Sequence, residues 1–237
     1  MANIQHCHDY EEMSRRAAAH VIAAATAKSD FLLCAPTGHS PAGLYRELIR
    51  ESARQPDLLR NFRVVKLDEW LEMPPSDPAS CEHYLQRRLI EPLGIAAERY
   101  ISFDAEAKDP AKECARISAE VDRQGPIDVC ILGLGRNGHV GLNEPAPHLQ
   151  PHCHVAKLSE ETRGHMMMSG RGTKPASGLT LGMGDILASR NILLLVTGEG
   201  KQRAIGRFLE ATVTTDLPAS FLWLHPNVDV MLDDSCR

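Results

Sequence analysis

The chain has 237 residues, 43% of them hydrophobic, and its 26 Lys and Arg against 31 Asp and Glu give a formal net charge of −5. That composition excludes wholesale disorder and provides enough apolar residues for a core without staples. The acidic balance argues against nucleic acid or an anionic membrane surface as partner, because both require a basic face.

In chain order, the N-terminus shows no apolar stretch of the secretory kind, and no later run approaches the length of a membrane span. A helical pattern covers 10–27, with Met13, Ala17, Val21 and Ala24 on one stripe. The apolar run 31–35 reads as a buried strand, and Ser40 before Pro41 reads as an N-cap opening a helix through Leu44 and Leu48. A second buried strand is expected at 64–67. Asp109-Pro110 repeats the helix-start signal, and Cys114, Ile117 and Val121 form the stripe that Gly125 ends. Further strands are expected at 129–132, 192–196 and 221–224, and a helix from about Lys201 carrying Ala204, Ile205, Phe208 and Leu209. Strands alternating with helices predict an α/β fold: one domain over 1–237, a doubly wound, mostly parallel sheet with helices on both faces. The stretch 166–177, with Gly170, Gly172 and Pro175, reads as a mobile loop, part of a lid around 160–177. The seven cysteines include no C-x-x-C pair, which fits a reduced, cytoplasmic protein.

Five motifs carry candidate chemistry. Ala35-Pro36-Thr37-Gly38-His39-Ser40-Pro41 joins a strand to a helix. It is either a plain capped turn or a phosphate cradle, in which small residues and a helix N-terminus receive the anion. It is not a Walker loop. Asp68 and Glu69 end a buried strand, where open α/β sheets place ligands; they are either a solvated acidic pair or contain a proton-transfer base. The run Gly133-Leu134-Gly135-Arg136-Asn137-Gly138-His139-Val140-Gly141-Leu142-Asn143-Glu144-Pro145 spells G-x-G-x-x-G, but mid-chain and with no long helix after it. It reads better as a loop presenting His139 and Glu144 as an acid/base pair than as a dinucleotide site. Lys201, in the first turn of a helix, opposes the helix dipole unless an anion sits there, so it is either a second phosphate contact or a surface lysine. His148, His152, Cys153 and His154 resemble a zinc cluster, but with no second ligand pair and with Pro147 and Pro151 nearby they read as an irregular connection.

Taken together, the strings PTGHSP, KLDEW, GLGRNGHVGLNEP, LTLG and LVTGEGKQ resemble the glucosamine-6-phosphate deaminase/isomerase family, which shares its fold with the 6-phosphogluconolactonases. The resemblance runs from the first helix to a strand at 228–232. VKLDEW, NGHVGLNEP and PASFLWLHPN are closer to the galactosamine-6-phosphate branch. It implies that an aldohexosamine 6-phosphate and water give a ketohexose 6-phosphate and ammonia, without metal or organic cofactor. Asp68 would be the base moving a proton from C2 to C1, His139 would assist ring opening, and Glu144 would orient and charge-balance it. Thr37, Gly38, His39, Ser40 and Lys201 would hold the phosphate.

Three departures from the family pattern stand out. Asn137 replaces the usual Asp, so Glu144 alone would carry the negative charge beside His139. The family's lid arginine aligns with Met168, which leaves Arg171 as candidate substitute. The chain ends at Arg237 without the extension of the allosteric hexamers, whose effector-binding basic residues align with His154 and Ala156. A monomer or small homo-oligomer without activation by an N-acetyl-hexosamine phosphate is therefore expected. The competing readings are a 6-phosphogluconolactonase-type hydrolase, a non-catalytic sugar-phosphate sensor and a dehydrogenase. Asn143-Glu144-Pro145 favours the deaminase over the first.

Overall fold

The computed structural model describes residues 2–164 and 175–236. Its main sheet has seven strands in the order β1-β10-β9-β6-β2-β3-β5: β1 (Asn3–Cys7), β2 (Leu32–Ala35), β3 (Arg63–Lys66), β5 (Tyr100–Ile101), β6 (Val129–Gly133), β9 (Asn191–Val196) and β10 (Val228–Asp233). Every neighbouring pair in it is parallel. Both faces are covered, as the unbroken apolar runs require. Leu33, Ala35, Val129, Ile131, Leu193 and Leu195 point into one core, where Met13, Ala17 and Val21 of α1 (Tyr10–Thr26) meet Leu44 and Leu48 of α2 (His39–Arg54). Their alternate neighbours Leu32, Cys34, Cys130, Leu132, Ile192 and Leu194 point into the other core, with Cys114 and Ile117 of α4 (Pro110–Gln124) and Ala204 and Phe208 of α7 (Gln202–Leu209). Asp109 caps α4 by accepting from the Lys112 amide, as its sequence signals.

A second sheet, β4-β8-β7, is antiparallel and was not foreseen: β4 (Asp68–Trp70), β7 (His154–Lys157) and β8 (Ser177–Thr180). Its strands are three or four residues long, too short to show a period. The stretch 221–224, expected as a strand, lies in a 3-10 helix, Pro218–Leu224. Pro218 opens that turn, and Ser220 closes it by donating to the Thr214 carbonyl, so the apolar run reflects burial rather than extension. Ser40 is not the N-cap; the helix begins two residues earlier than expected, at His39 after Gly38. Of the expected lid, 160–163 is the short helix α5 (Glu160–Arg163), Ser177 already belongs to β8, and 165–174, including Met168 and Arg171, lies outside the described residues. No helix among the described residues is long and apolar enough to cross a membrane.

Candidate active site

The carboxyl ends of β9, β6 and β2, three neighbours in the sheet, send out the glycine-rich loops singled out in the sequence. After β2 the chain turns through Gly38 at φ 103°, a left-handed conformation that disfavours any side chain, and enters α2 without a side-chain cap. Three phenols fix this turn. Tyr45 donates to the Pro36 carbonyl at 2.7 Å, Tyr84 to that of Gly38 at 2.5 Å, and Tyr10 to that of His39 at 2.7 Å, the Tyr10 ring stacking on His39. Burial pushes all three phenols up, so they remain donors. Ser40 is buried against the end of β6, near Gly133.

Asp68 and Glu69 separate as strand alternation requires. Glu69 is fully buried and accepts from Lys66 Nζ at 2.7 Å and from the amides of Trp70, Cys81 and Glu82. Lys66 also donates to Glu82 at 2.7 Å, and Glu82 accepts from Tyr100 and Ser102. This buried network bolts the start of α3 (Cys81–Leu85) to β4. Among the described residues, Asp68 has no such side-chain network. The Cys81 thiol lies 3.9 Å from its carboxylate and 3.5 Å from the Thr37 hydroxyl, so the thiol sits between the carboxylate and the loop after β2. Burial, reinforced by the Glu69 charge and opposed by Lys66, raises the Asp68 carboxyl to about 7.

The loop after β6 holds the third group. Asn137 Nδ2 donates to Glu144 Oε2 at 2.8 Å; because a carboxylate only accepts, this fixes the amide with Oδ1 toward His139. That oxygen lies 2.8 Å from His139 Nδ1 and also accepts the His139 amide. The ring proton therefore sits on Nδ1, and Nε2 is the basic nitrogen of the neutral imidazole. Glu144 is 3.8 Å from Nδ1, so its charge lies beside the ring while its hydrogen-bond link to the imidazole runs through Asn137. Ser159 donates to Glu144 from both amide and hydroxyl, and the Thr162 hydroxyl of α5 reaches within 3.3 Å of Nδ1. The amide of Leu142, next along this loop, donates to the Thr180 hydroxyl, and Thr180 is the register partner of Asp68; β8 thus ties the His139 loop to the base.

A Cβ at Gly135 would stand 2.3 to 2.6 Å from ring atoms of His139. Gly135→Ala must displace the imidazole, and a fall in kcat of about 10²-fold is expected from steady-state turnover.

Lys201 precedes α7 and, among the described residues, forms no ion pair; burial lowers its amine to about 8. Among the described residues, no group of three His, Cys, Asp or Glu side chains converges in a way that could hold a metal ion. His152 instead faces Asp185, and His154 faces the His152 carbonyl.

The sequence profile described as Glucosamine-6-phosphate isomerases/6-phosphogluconolactonase matches residues 8–231. The chain belongs to this family. It is 43% identical over 224 residues to a protein of Escherichia coli (strain K12) named "Putative deaminase AgaI", covering 94% of this chain and 89% of that one. It is 35% identical to glucosamine-6-phosphate deaminase 1 of Bacillus subtilis (strain 168), covering 97% and 96%. Among solved structures it matches a monomeric glucosamine-6-phosphate deaminase with a TM-score of 0.92 and 35% identity, covering 98% of each chain. The 6-phosphogluconolactonase of Trypanosoma brucei matches with a TM-score of 0.76 at 22% identity over 99% and 97% of the two chains, which shows the shared fold.

Within this deaminase/isomerase family the chain is an enzyme. Of the sequence-predicted residues, Asp68 opens strand β4 while Asn137, His139 and Glu144 lie on the loop after β6, the two joined through β8. Sequence reasoning missed the residues that position them. Cys81, Ser159 and Thr162 carry no motif, and Lys66 and Glu82 look like ordinary surface charges. One signal was available: Lys66 lies between apolar residues of a buried strand, where an unpaired charge is too costly to stand.

Proposed function

We propose that this chain is a cytoplasmic hexosamine-6-phosphate deaminase/isomerase, working as a monomer or small homo-oligomer and as one catalytic unit. It converts galactosamine 6-phosphate, in preference to glucosamine 6-phosphate, and water to the ketohexose 6-phosphate and ammonia. The observation that carries this reading is the pairing of a buried carboxyl raised to about 7 with an imidazole whose basic nitrogen is set by an amide–carboxylate relay. A base poised near neutral pH suits proton abstraction next to a carbonyl. In this reading His139 Nε2 receives the anomeric hydroxyl proton as the ring opens and passes it to the ring oxygen. Asp68 takes the C2 proton, and that electron pair forms the C1–C2 double bond as the C1 carbonyl electrons move to O1, which takes a proton from the substrate ammonium. The same carboxyl then returns its proton to C1 as the nitrogen lone pair forms the C2 imine. Water adds at the resulting C2 imine and ammonia leaves, so the steps require no metal or organic cofactor. Thr37, Gly38, His39, Ser40 and Lys201 hold the phosphate away from the reacting carbons, which fixes their orientation. The preference for the galacto configuration rests on the branch-like motifs VKLDEW, NGHVGLNEP and PASFLWLHPN.

Ammonia release measured with both amino-sugar phosphates tests the reading. Release from both, faster with galactosamine 6-phosphate, is expected. Hydrolysis of 6-phosphogluconolactone with no ammonia from either sugar would replace it with the hydrolase reading.

The relay makes a further expected outcome specific. Asn137→Asp places a second carboxylate beside Glu144 and a charge against the imidazole, which favours imidazolium. Activity should persist with the pH profile of kcat/KM moved to higher pH, and an unmoved profile would separate Asn137 from His139 in function.

A further inference from the structure

Arg136 lies on the loop of β6, the middle strand of the three whose carboxyl ends meet at the site. Its guanidinium rests on Gly200, in the loop after β9: a methyl group at Gly200 would stand 3.1 Å from Nε and 3.3 Å from Cζ. Gly200 also has φ +80°, so that loop needs glycine for its turn and as the seat of the arginine. Arg46, Arg63 and Arg116 each face a carboxylate; Arg136 is exposed and, among the described residues, has no ion-pair partner. Instead it faces a second cation. Asp233 favours protonation of the Lys201 amine and Arg136 opposes it, while burial pushes the nearby Cys236 thiol up and keeps it neutral. The two cations repel each other, with Asp233 acting as a counter-charge on Lys201, and a dianion bound between them would attract both.

We propose that Arg136 is a phosphate-binding residue, which with Lys201 and the Thr37–Ser40 turn clamps the 6-phosphate of the substrate. This rests on the reading above that an amino-sugar phosphate occupies this edge of the sheet, and it does not depend on Arg171. The planar fork of an arginine suits two phosphate oxygens at once, which a lysine cannot match. Because Arg136 immediately precedes Asn137, one loop then carries both the phosphate contact and the relay to His139.

The test compares Arg136→Gln, Arg136→Lys and Lys201→Gln by steady-state ammonia release, with inorganic phosphate as competitive inhibitor. In Arg136→Gln the KM for substrate and the Ki for phosphate are expected to rise together by about 10- to 100-fold, with kcat within about threefold. Arg136→Lys should recover part of the loss. In the unaltered protein KM should rise above about pH 8 as Lys201 loses its proton, and Arg136→Gln should move that rise to higher pH, which a merely structural arginine would not do. Unchanged KM and Ki in Arg136→Gln, with both raised in Lys201→Gln, would remove Arg136 and leave the phosphate site standing. Values unchanged in both variants would remove the site itself. A fall in kcat with KM and Ki unchanged would show that Arg136 only positions Asn137, and would overturn the proposal.

Discussion

Asp68→Asn is expected to lower kcat by about 10²- to 10⁴-fold, the contribution of a placed general base, and at the same time to stabilise the folded protein. The second effect follows from the carboxyl being raised to about 7 by burial, against an ordinary value of 3.8. Between those two pH values the unfolded chain releases a proton that the folded chain still holds. Folding stability therefore falls as pH rises from 3.8 to 7, and stays at its lower value above 7. Three pK units correspond to ~4 kcal/mol at full extent. Asparagine carries no charge to desolvate, so its variant should melt higher than the unaltered protein at pH 8, by a margin that shrinks at pH 5 and vanishes below pH 3.8. A variant that loses activity and also melts lower at pH 8 would mean that Asp68 supports the fold rather than straining it.

Lys66→Met should act in the opposite direction. It leaves Glu69 and Glu82 facing each other with no cation between them, and breaking a buried charge network by removing one partner costs about 3–5 kcal/mol. For a chain of this length that is a fall in Tm of ~6–20 °C. The same change removes the attraction that partly offsets the burial of Asp68, so the acid limb of the kcat/KM profile should move above 7. Circular dichroism melts and the pH profile of the folded fraction check the two effects separately. A Tm shift without a pH shift would place the network in stability alone.

These effects show what could be read from the chain and what could not. The parallel sheet was legible because its strands are continuous apolar runs between capped helices: 64–67 and 192–196 became β3 and β9 within a residue at their ends. The motif residues were legible because glycine loops at strand ends are rare except where a ligand approaches. The small antiparallel sheet was not, since β4 pairs with β8 across more than a hundred residues and each strand is shorter than any period. The split between Asp68 and Glu69 was open in the sequence, where the two stood as one acidic pair, although alternation along a strand already forces them to opposite faces. The role of Asn137 turned on a distance: only the structure shows Glu144 reaching the imidazole through the amide. The stretch 221–224 shows the reverse failure, where burial alone imitates a strand.

The account stands most directly on the pH dependence of kcat/KM for ammonia release from galactosamine 6-phosphate between pH 5 and 9. This quantity reports the ionisation of the free enzyme. The account predicts activity that falls about tenfold per pH unit below about 7, as the Asp68 carboxylate takes up its proton. Activity that stays level down to pH 5 would contradict it, because the base would then have an ordinary carboxyl and the burial of Asp68 would have no part in the reaction.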